Sequence, residues 1–449
     1  MNYSLPALQN QASGNLGTIS TMKPAHIRLI RFLLPGVLIL AVVVLAVQRL
    51  PGTMVTATPT IVITKTTVQL SESPPITPVK STPIPQASQT PTVQPTQIAY
   101  PVGPDNYPPG INPLSGLLVE DLESLKLPPA LLSISNSPVT ARPQAGLSFA
   151  PLIYELFIGE GNSRFLTVFY GDLPKTADNP DPEIGPIRSG RLAYEHIRKQ
   201  LNGFITMAYA SVWVMPKLNY YHNLQTEHPD DINGARLRVS DLVDLKKKYL
   251  SELGTPNPIG LKFDPVVPHG GKDGHTIWLP YAYVDQIWWH YDRESSTYHR
   301  WQDNENGREY TEQIDSLTGK PLEIENVAVL FANHIAYRET LIDLELLYRN
   351  RERALIFRDG QVFQGYWTTK SEDYEKTTGK LRPIRILDKD GNPFPSKPGQ
   401  TWMEIVTPET GVYETQYTED YYRLVNNREP GSGIWVISFV HPENMQPNQ

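Results

Sequence analysis

An uncharged apolar run near the N-terminus constrains this chain more than any other feature. Residues 32–47 read FLLPGVLILAVVVLAV, and no Asp or Glu occurs before Glu72. With its apolar flanks the run spans 29–50, close to the roughly 20 residues that a helix needs to cross a bilayer. Basic residues precede the run and few follow it, a distribution that places the N-terminus in the cytoplasm. We therefore predict a cytoplasmic tail at 1–28, a single transmembrane anchor at 29–50 and the remaining chain outside the cell membrane.

Two other interpretations of this run stay open. A cleaved secretory signal peptide also has a basic start and a short apolar core, and it would make the protein secreted. Against it, the chain after Leu45 reads Ala-Val-Gln-Arg, which is a poor small-x-small cleavage site. A buried helix is the third interpretation, and it would not export the chain.

The next stretch, 51–109, is rich in Pro, Thr, Ser, Val and Gln. Many of the 42 prolines lie here, and its charged residues are Lys65, Glu72, Lys80 and Asp105. Such a composition cannot bury enough apolar surface to offset the entropy lost on ordering, so we predict a disordered stalk. An extended stalk, at about 3.1 Å per residue, would hold a domain more than about 100 Å from the membrane. A linker whose length hardly matters explains the same composition equally well.

Composition excludes several classes of protein. The absence of cysteine rules out a disulfide scaffold, a cysteine nucleophile, a zinc–thiolate site and a lipidated cysteine. Six of the 40 basic and two of the 47 acidic residues precede Gly110, which leaves the exported part with a net charge of about −11. Nucleic-acid phosphates require a basic protein face, so we expect no nucleic-acid partner.

Residues 110–265 alternate between strand and helix patterns, which is typical of an α/β domain. Ser189 and Ser240 are placed to cap the two helices. We predict three strands and two helices: strands at 130–135, 166–170 and 205–214, and helices at 189–201 and 239–253.

Residues 266–445 contain short β-forming runs separated by turn sequences such as RDG at 358–360. This pattern predicts a mostly antiparallel β domain. Most of the eight tryptophans lie in this half, and we expect them in the core rather than on a ligand-binding surface. The predicted strands include 277–279, 287–291, 298–301, 328–331, 354–358 and 403–406, with a strand–turn–strand–turn–strand unit at 342–364.

Two sets of sequence motifs follow one another at sensible spacing. The first set is INPLSGLLV at 111–119, ARPQAGLSFAPLIYELFIGEGNSRFLTVF at 141–169 and EIGPIRSGR at 183–191. The second set is IDSLTGKPLEIENVAVLFA at 314–332, ALIFRDGQVFQGYW at 354–367 and LDKDGNPFPSKPGQTWMEIV at 387–406. Both sets resemble the domain-of-unknown-function 3048 family, the YerB-like bacterial lipoproteins. The resemblance covers nearly all of 111–406 and implies two exported domains tethered at the outer membrane face, without implying an activity.

The chain departs from that family at three places. Relatives are usually anchored through a lipidated cysteine, which the apolar run at 32–47 would replace here. Many relatives carry an Ala-Pro-His-Asn-like segment where this chain reads GARLRVSDL at 234–242, with Arg238 nearby. Relatives also tend to have a small, glycine-rich strand end where this chain has the larger residues of 208–213.

An arginine-rich set is the best candidate for a ligand site. The segment GPIRSGR at 185–191 directly precedes a predicted helix, whose free N–H groups favour anions. Guanidinium groups add planar, bidentate donors. We predict a site for a phosphate- or carboxylate-bearing wall component, formed by Arg142, Arg164, Arg188, Ser189 and Arg191. The alternative is a structural network in which Arg142 and Arg188 form ion pairs with Glu155 and Glu160.

Glu155 and Glu160 are weak catalytic candidates, as an acid–base pair for glycan cleavage. His269 and His275 lie in a Gly-rich stretch that is better explained as a hydrated linker than as a metal loop. The acidic turn at 388–392 lacks the glutamate that a calcium loop requires. The common motifs of hydrolases, phosphate-binding loops and zinc proteases do not occur, and we expect no metal and no cofactor.

These observations favour a membrane-anchored, extracytoplasmic envelope protein that binds an anionic cell-wall ligand or a protein partner. An envelope hydrolase or transferase that acts on wall glycans or their phosphates is the alternative. A scaffold, with the β domain as docking surface, is the third hypothesis.

Overall fold

The structure, a computed structural model, describes residues 98–226, 230–418 and 420–442. The predicted tail at 1–28, the predicted anchor at 29–50 and most of the predicted stalk lie outside these residues. Within the described ranges, no helix is both long and apolar enough to cross a membrane.

The first half contains a few long strands and two helices. The helices are α1 (Ala193–Leu201) and α2 (Val239–Leu253). The strands are β1 (Ala130–Ser135), β2 (Leu152–Gly159), β3 (Asn162–Phe169), β4 (Glu183–Ile184), β5 (Phe204–Met207), β6 (Tyr221–Asn223), β7 (Leu237–Arg238) and β8 (Lys262–Phe263).

The second half is dominated by strands, with two short helices, α3 (Glu372–Thr378) and α4 (Tyr421–Asn426). The strands are β9 (Lys272–Asp273), β10 (Thr276–Ala282), β11 (Asp285–Asp292), β12 (Thr297–Asp303), β13 (Tyr310–Glu312), β14 (Ile314–Asp315), β15 (Lys320–Pro321), β16 (Glu323–Ile324), β17 (Asn326–Phe331), β18 (His334–Arg338), β19 (Leu341–Leu344), β20 (Glu352–Arg358), β21 (Gln361–Thr368), β22 (Arg385–Asp388), β23 (Pro395–Ser396), β24 (Thr401–Val406), β25 (Gly411–Glu414) and β26 (Ile434–Ser438).

Two large sheets organise the described chain. The eleven-stranded sheet has the order β22-β21-β20-β17-β24-β2-β3-β1-β5-β6, with β9 paired to β21. The seven-stranded sheet has the order β13-β12-β11-β10-β26-β25, with β16 paired to β12. Neighbours in the seven-stranded sheet are antiparallel except at the β10–β26 pair, so the β-rich second half matches the prediction in its main character.

The larger sheet draws strands from both halves of the chain. Strand β2 pairs in parallel with β24, and Glu155 lies opposite Glu404 in that register. Strand β24 also pairs in parallel with β17, which continues the sheet into the second half. The boundary predicted at 265/266 is therefore crossed by one continuous sheet.

The larger sheet is buried on both faces. One face packs against the inner face of the seven-stranded sheet, where Phe165 and Trp402 join Ile287 and Trp289 in one apolar cluster. Ile197 of α1 belongs to the cluster on the other face. The nearly continuous burial of β1, β2 and β3 follows from this two-sided cover.

The predicted strand at 205–214 was wrong in its length. Strand β5 ends at Met207, because the Ala208 N–H donates to the Arg188 carbonyl at 3.0 Å and leaves the strand ladder. Tyr209 then adopts a positive φ of 60°, which turns the chain away from the sheet. Residues 208–213 therefore form a loop at the end of β5.

Both predicted helix caps were also wrong. Helix α1 begins at Ala193 rather than near Ser189, and no side chain caps it. Helix α2 has the predicted bounds, but Ser240 lies inside its first turn. The carboxylate of Asp181 accepts bonds from the Ser240 N–H at 2.7 Å and from its Oγ at 2.9 Å. The cap of α2 is thus supplied by a distant residue, which local sequence does not reveal.

Candidate functional site

Three of the predicted arginines lie together at one end of β1, and we call Arg164, Arg188 and Arg191 the arginine cluster. Arg164 lies on β3 directly opposite Ser135, the last residue of β1. The other two lie on the segment 185–191, which runs beside the same end of β1. The Ser135 N–H donates to the Pro186 carbonyl at 2.9 Å and fixes this segment in place.

The segment separates the ends of two parallel strands. Strands β1 and β5 pair from Ala130 to Leu132, and beyond that point the Arg188 N–H donates to the Ser133 carbonyl at 2.8 Å. On its other side the Gly190 N–H donates to the Tyr209 carbonyl at 2.8 Å. The arginine cluster therefore lies outside the carboxyl ends of parallel strands, where open α/β sheets commonly bind ligands.

The guanidinium groups of the arginine cluster contact carbonyl and hydroxyl oxygens. Arg164 Nη1 donates to the Ser189 carbonyl at 3.3 Å, and Arg191 Nη1 donates to the Gly190 carbonyl at 3.1 Å. Arg188 Nε donates to Ser135 Oγ at 3.3 Å. The Nε atoms of Arg164 and Arg191 are buried without a hydrogen-bond partner. No described Asp or Glu forms an ion pair with any member of the arginine cluster.

Burial lowers the pKa of all three guanidinium groups, and the charge of a neighbouring arginine lowers it further for Arg164 and Arg188. For Arg164, which is 7% exposed, burial followed by the charges of Arg191 and Arg188 lowers the pKa to about 9. Burial also lowers the pKa of Arg191 and Arg188, against weaker upward effects that include Glu160 on Arg191 and Asp231 on Arg188. The like charges are thus only partly balanced by protein acids, and a bound anion would relieve their repulsion.

Exposed aromatic and charged side chains lie beside the arginine cluster, and of these sequence reasoning named Glu160 but missed Tyr209, Trp213 and Arg338. Tyr209 and Trp213 are 56% and 54% exposed on the loop that follows β5. The Arg338 guanidinium lies over the Trp213 ring at 4.3 Å. Glu160 is exposed at the β2–β3 turn with a φ of 52°. The large residues at 208–213, noted as a departure from the family, are the sequence signal for this rim.

Arg142 is directed elsewhere. Its Nη1 donates to the Asp303 carbonyl at 2.6 Å and its Nε to the Asn136 carbonyl at 3.0 Å. It therefore joins the loop before β2 to the end of β12. The structure places it apart from the arginine cluster, in contact with the second half of the chain.

Glu155 points into the protein interior. It is 0% exposed and accepts two bonds from Arg300 Nη2, both at 2.9 Å, and one from Trp402 Nε1 at 3.1 Å. In the β2–β3 register it lies opposite Phe165, so its side chain is on the sheet face opposite to that of Arg164. Glu155 consequently lines no open cleft and does not face Glu160.

Glu155 belongs to a buried group of charges between the two sheets. Its neighbour across the strand pair is Glu404, which accepts from Trp289 Nε1 at 3.0 Å and Tyr281 Oη at 3.1 Å. Burial and the charge of Glu155 raise the pKa of Glu404 well above its usual range. The ion pair predicted for Glu155 therefore exists, but its partner is Arg300 rather than Arg142.

The other sequence motifs form ordinary structural contacts. The His275 ring bonds to Thr276 Oγ1 at 2.9 Å and to the Ser432 carbonyl at 3.2 Å. Asp388 accepts from the N–H groups of Asp390 and Asn392, which defines a turn. Among the described residues, no group of three or more His, Cys, Asp or Glu side chains could hold a metal ion.

Comparison with known proteins gives the family. The profile described as "Protein of unknown function (DUF3048) N-terminal domain" matches residues 114–250, and that of the corresponding C-terminal domain matches residues 277–403. The chain is 25% identical over 315 residues to a candidate lipoprotein, YerB, of Bacillus subtilis strain 168, which covers 66% of this chain and 85% of YerB.

The crystal structure of YerB from Bacillus subtilis has a similar fold. It superposes with a TM-score of 0.52 at 23% identity, over 66% of this chain and 96% of the YerB chain. The two family profiles together span more than half of the sequence and occur in the expected order. The chain is a member of the DUF3048 family.

Proposed function

We propose that this protein is an extracytoplasmic envelope protein that binds an anionic cell-wall polymer through the arginine cluster. The observation that carries the proposal is the convergence of Arg164, Arg188 and Arg191 without any ion pair to a described carboxylate. Two of the three have a buried, unpartnered Nε atom. Buried charges are ordinarily paired, so an external anion is the natural partner of this cluster.

The chemistry of the site favours phosphate or carboxylate. Guanidinium groups donate in a planar fork that matches both groups and binds them bidentately. Helix α1 begins two residues after Arg191, and no side chain caps its N-terminus. Its free N–H groups and the positive end of its dipole add to the attraction for an anion.

The net charge of the exported part favours anion binding at one specific site over non-specific attraction of anions to the whole surface. At about −11 this part repels polyanions at long range, so binding depends on direct contacts within the arginine cluster. We place the protein at the outer face of the membrane, held by the apolar run at 29–50 and spaced from it by 51–109. The relative YerB carries the name of a lipoprotein, and in this cysteine-free chain the apolar run would take the place of the lipid.

Thermal unfolding of the full-length chain in detergent micelles tests the proposal. The probes are inorganic phosphate, poly(glycerol phosphate) and a carboxylated wall fragment. A ligand at a hundred times its dissociation constant adds about 2.7 kcal/mol of stability, a shift of several degrees. We expect that shift in the wild type and its loss in Arg188→Ala and Arg191→Ala.

Arg238→Ala is the matched control. Arg238 is an exposed arginine of the same half, paired with Glu183 at 3.1 Å and outside the arginine cluster. The ligand-induced shift should survive in this variant. If no probe stabilises the wild type, and both cluster variants unfold at lower temperature than Arg238→Ala, the arginines serve the fold and the proposal fails.

A further inference from the structure

A cavity lies on the outer face of the seven-stranded sheet, and we call it the aromatic cleft. Its volume is about 540 Å³. Strands β11, β12 and β13 supply its floor, and the loops before β13 and α4 supply its sides. The residues that line it are Trp288, His290, Trp301, Arg308, Tyr310 and Tyr417.

Strand alternation presents these rings outward. Trp288 pairs with Trp301 across β11 and β12, so both side chains lie on the same face of the sheet. Their neighbours Ile287 and Trp289 point to the opposite face and belong to the core between the two sheets. On the outer face Trp288 belongs to a smaller apolar cluster with Trp278, Leu424 and Val436, and Trp301 packs against this cluster while staying only half-buried.

Helix α4 covers only part of this outer face. Tyr421 meets Trp278 edge-on with centroids 5.3 Å apart, and Leu424 is 1% exposed beside it. The aromatic cleft lies on the part that α4 does not cover. Tyr417 at its edge is 55% exposed.

The rings of the cleft are held in fixed orientations. His290 stacks on Trp288 with centroids 5.6 Å apart and planes 9° apart. Trp301 is half-buried, and the planes of His290 and Trp301 are 80° apart with centroids 6.5 Å apart. An aromatic face attracts the aliphatic C–H groups of a sugar ring, which approach it flat.

The charge in the cleft comes from Arg308. Burial, and then the nearby His275 and His299, lower the pKa of His290 to about 4, so its imidazole is neutral at physiological pH. His299 is paired with Glu312 at 3.0 Å. The exposed guanidinium of Arg308 forms no ion pair with any described carboxylate. A ligand with one acidic group would complete this arrangement.

We propose that the aromatic cleft binds an acidic saccharide, with a pyranose ring stacked on Trp301 and its carboxylate or phosphate group at Arg308. The site is separate in its residues from the arginine cluster and does not depend on it. Its mixture of aromatic faces with a few polar groups is typical of small-molecule sites and differs from the apolar surface that a lipid chain requires.

Calorimetry with two tetrasaccharides and the full-length chain tests this proposal. Hyaluronan tetrasaccharide alternates N-acetylglucosamine with glucuronic acid, and N-acetylglucosamine tetramer is its neutral counterpart. We expect the acidic probe to bind about tenfold more tightly, the ratio that one additional charge-assisted hydrogen bond supplies. Arg308→Gln should bring the two dissociation constants together.

Two exposed tyrosines give a matched pair of variants. Tyr417→Ala removes a ring that lines the cleft, and we expect the affinity for both probes to fall about tenfold. Tyr422→Ala removes a ring that is 70% exposed on α4 and does not line the cleft, and it should bind like the wild type. Neither change disturbs a buried position, so unfolding does not complicate the comparison.

The possible outcomes separate this proposal from the anion site. Arg238→Ala, which changes an exposed arginine outside both sites, should leave binding of the acidic tetrasaccharide unchanged. Loss of binding in Arg188→Ala with retention in Tyr417→Ala would place the saccharide at the arginine cluster and overturn the assignment to the cleft. Absence of binding by both probes at millimolar concentration, or an unchanged affinity ratio in Arg308→Gln, would overturn it as well.

Discussion

At the scale of single residues, Lys246 is a fully buried amine outside the two sites. It lies on the buried face of α2 with 0% exposure. Its Nζ donates to the Phe169 carbonyl at 3.2 Å and lies 5.8 Å from the centre of the Tyr170 ring. Burial lowers the pKa of Lys246 to about 7. The protein therefore holds an amine that is costly to bury in its charged form.

This pKa predicts how stability depends on pH. Between about pH 7 and the ordinary lysine pKa, the unfolded chain binds a proton at Lys246 that the folded chain does not. The contribution of this residue to the free energy of unfolding should therefore rise with pH by about 1.4 kcal/mol per unit in that window. Lys246→Met removes the cost of burying the amine. We therefore expect the free energy of unfolding of this variant to exceed that of the wild type most at neutral pH, and by less as pH rises.

Urea unfolding of both proteins across that pH window measures the difference. Lys247→Met is the control, because the Lys247 side chain is 63% exposed on the same helix. The difference in free energy of unfolding between Lys247→Met and the wild type should not change with pH. If the free energies of unfolding of Lys246→Met and the wild type differ by a constant amount from pH 7 upward, the expectation is wrong.

The arginine cluster was partly predictable from the sequence. Arg188 and Arg191 share one short segment that a glycine and a proline mark as irregular, and Arg164 follows the turn of a recognisable hairpin. The position of Arg142 was not predictable, since its partner at Asp303 lies on a strand far along the chain. The same holds for Arg300 and Glu155, which no local pattern connects.

At the scale of elements, the family motifs at 141–169 and 314–332 hold each other in place. Asp315 accepts bonds from the Gly146 N–H at 3.0 Å and the Ser148 N–H at 2.8 Å. Gln144 is fully buried and accepts from Nε2 of Gln313, the residue directly before the second motif, at 2.8 Å. These polar residues of the motifs therefore have a structural role.

Asp315→Ala should consequently destabilise the protein. It leaves the buried N–H group of Gly146 and the partly buried N–H group of Ser148 without this acceptor, and hydrogen bonds to a charged group contribute about 1.5–3 kcal/mol. We expect a loss of about 3 kcal/mol in the free energy of unfolding, measured in urea. Asp373→Ala removes an exposed carboxylate of α3 and should leave that free energy unchanged. If the two variants have equal free energies of unfolding, Asp315 does not stabilise the contact between the two motifs.

Element positions were more predictable than element ends. The predicted strand at 130–135 and the helix at 239–253 have the observed bounds, because each has a clear apolar pattern and a strong terminating residue. The predicted strand at 205–214 was too long, since the apolar residues of 208–213 are exposed on a loop beside the arginine cluster. Hydrophobicity there reflects the rim of a candidate site rather than a core.

At the scale of the whole molecule, the two family domains are joined through one sheet. The parallel pairing of β2 with β24 connects residues about 250 positions apart and leaves no local signal in the sequence. Turn sequences reveal antiparallel hairpins, because their strands are neighbours in the chain. The sequence therefore indicates one half with alternating helix and strand patterns and one half with mainly strand patterns. It does not indicate that one sheet runs through both halves.

One buried ion pair adds a link between the two large sheets. Arg300 on β12 belongs to the seven-stranded sheet, and Glu155 on β2 belongs to the eleven-stranded sheet. Both side chains are 0% exposed, and their atoms lie 2.9 Å apart. Removal of one partner from such a pair leaves a buried charge and costs about 3–5 kcal/mol, whereas replacement of both by apolar groups is often nearly neutral.

We therefore expect Arg300→Met to destabilise the protein by about 3–5 kcal/mol, and Arg300→Met with Glu155→Leu to recover most of that loss. Urea unfolding of the single and double variants gives the coupling energy between the two positions. Arg349→Met, which removes a partly exposed arginine paired with Glu352 at 2.7 Å, should cost about 1 kcal/mol or less. If the double variant is as unstable as the sum of its two single variants, Arg300 and Glu155 act independently. The two sheets would then be held together by their apolar interface, without a contribution from this ion pair.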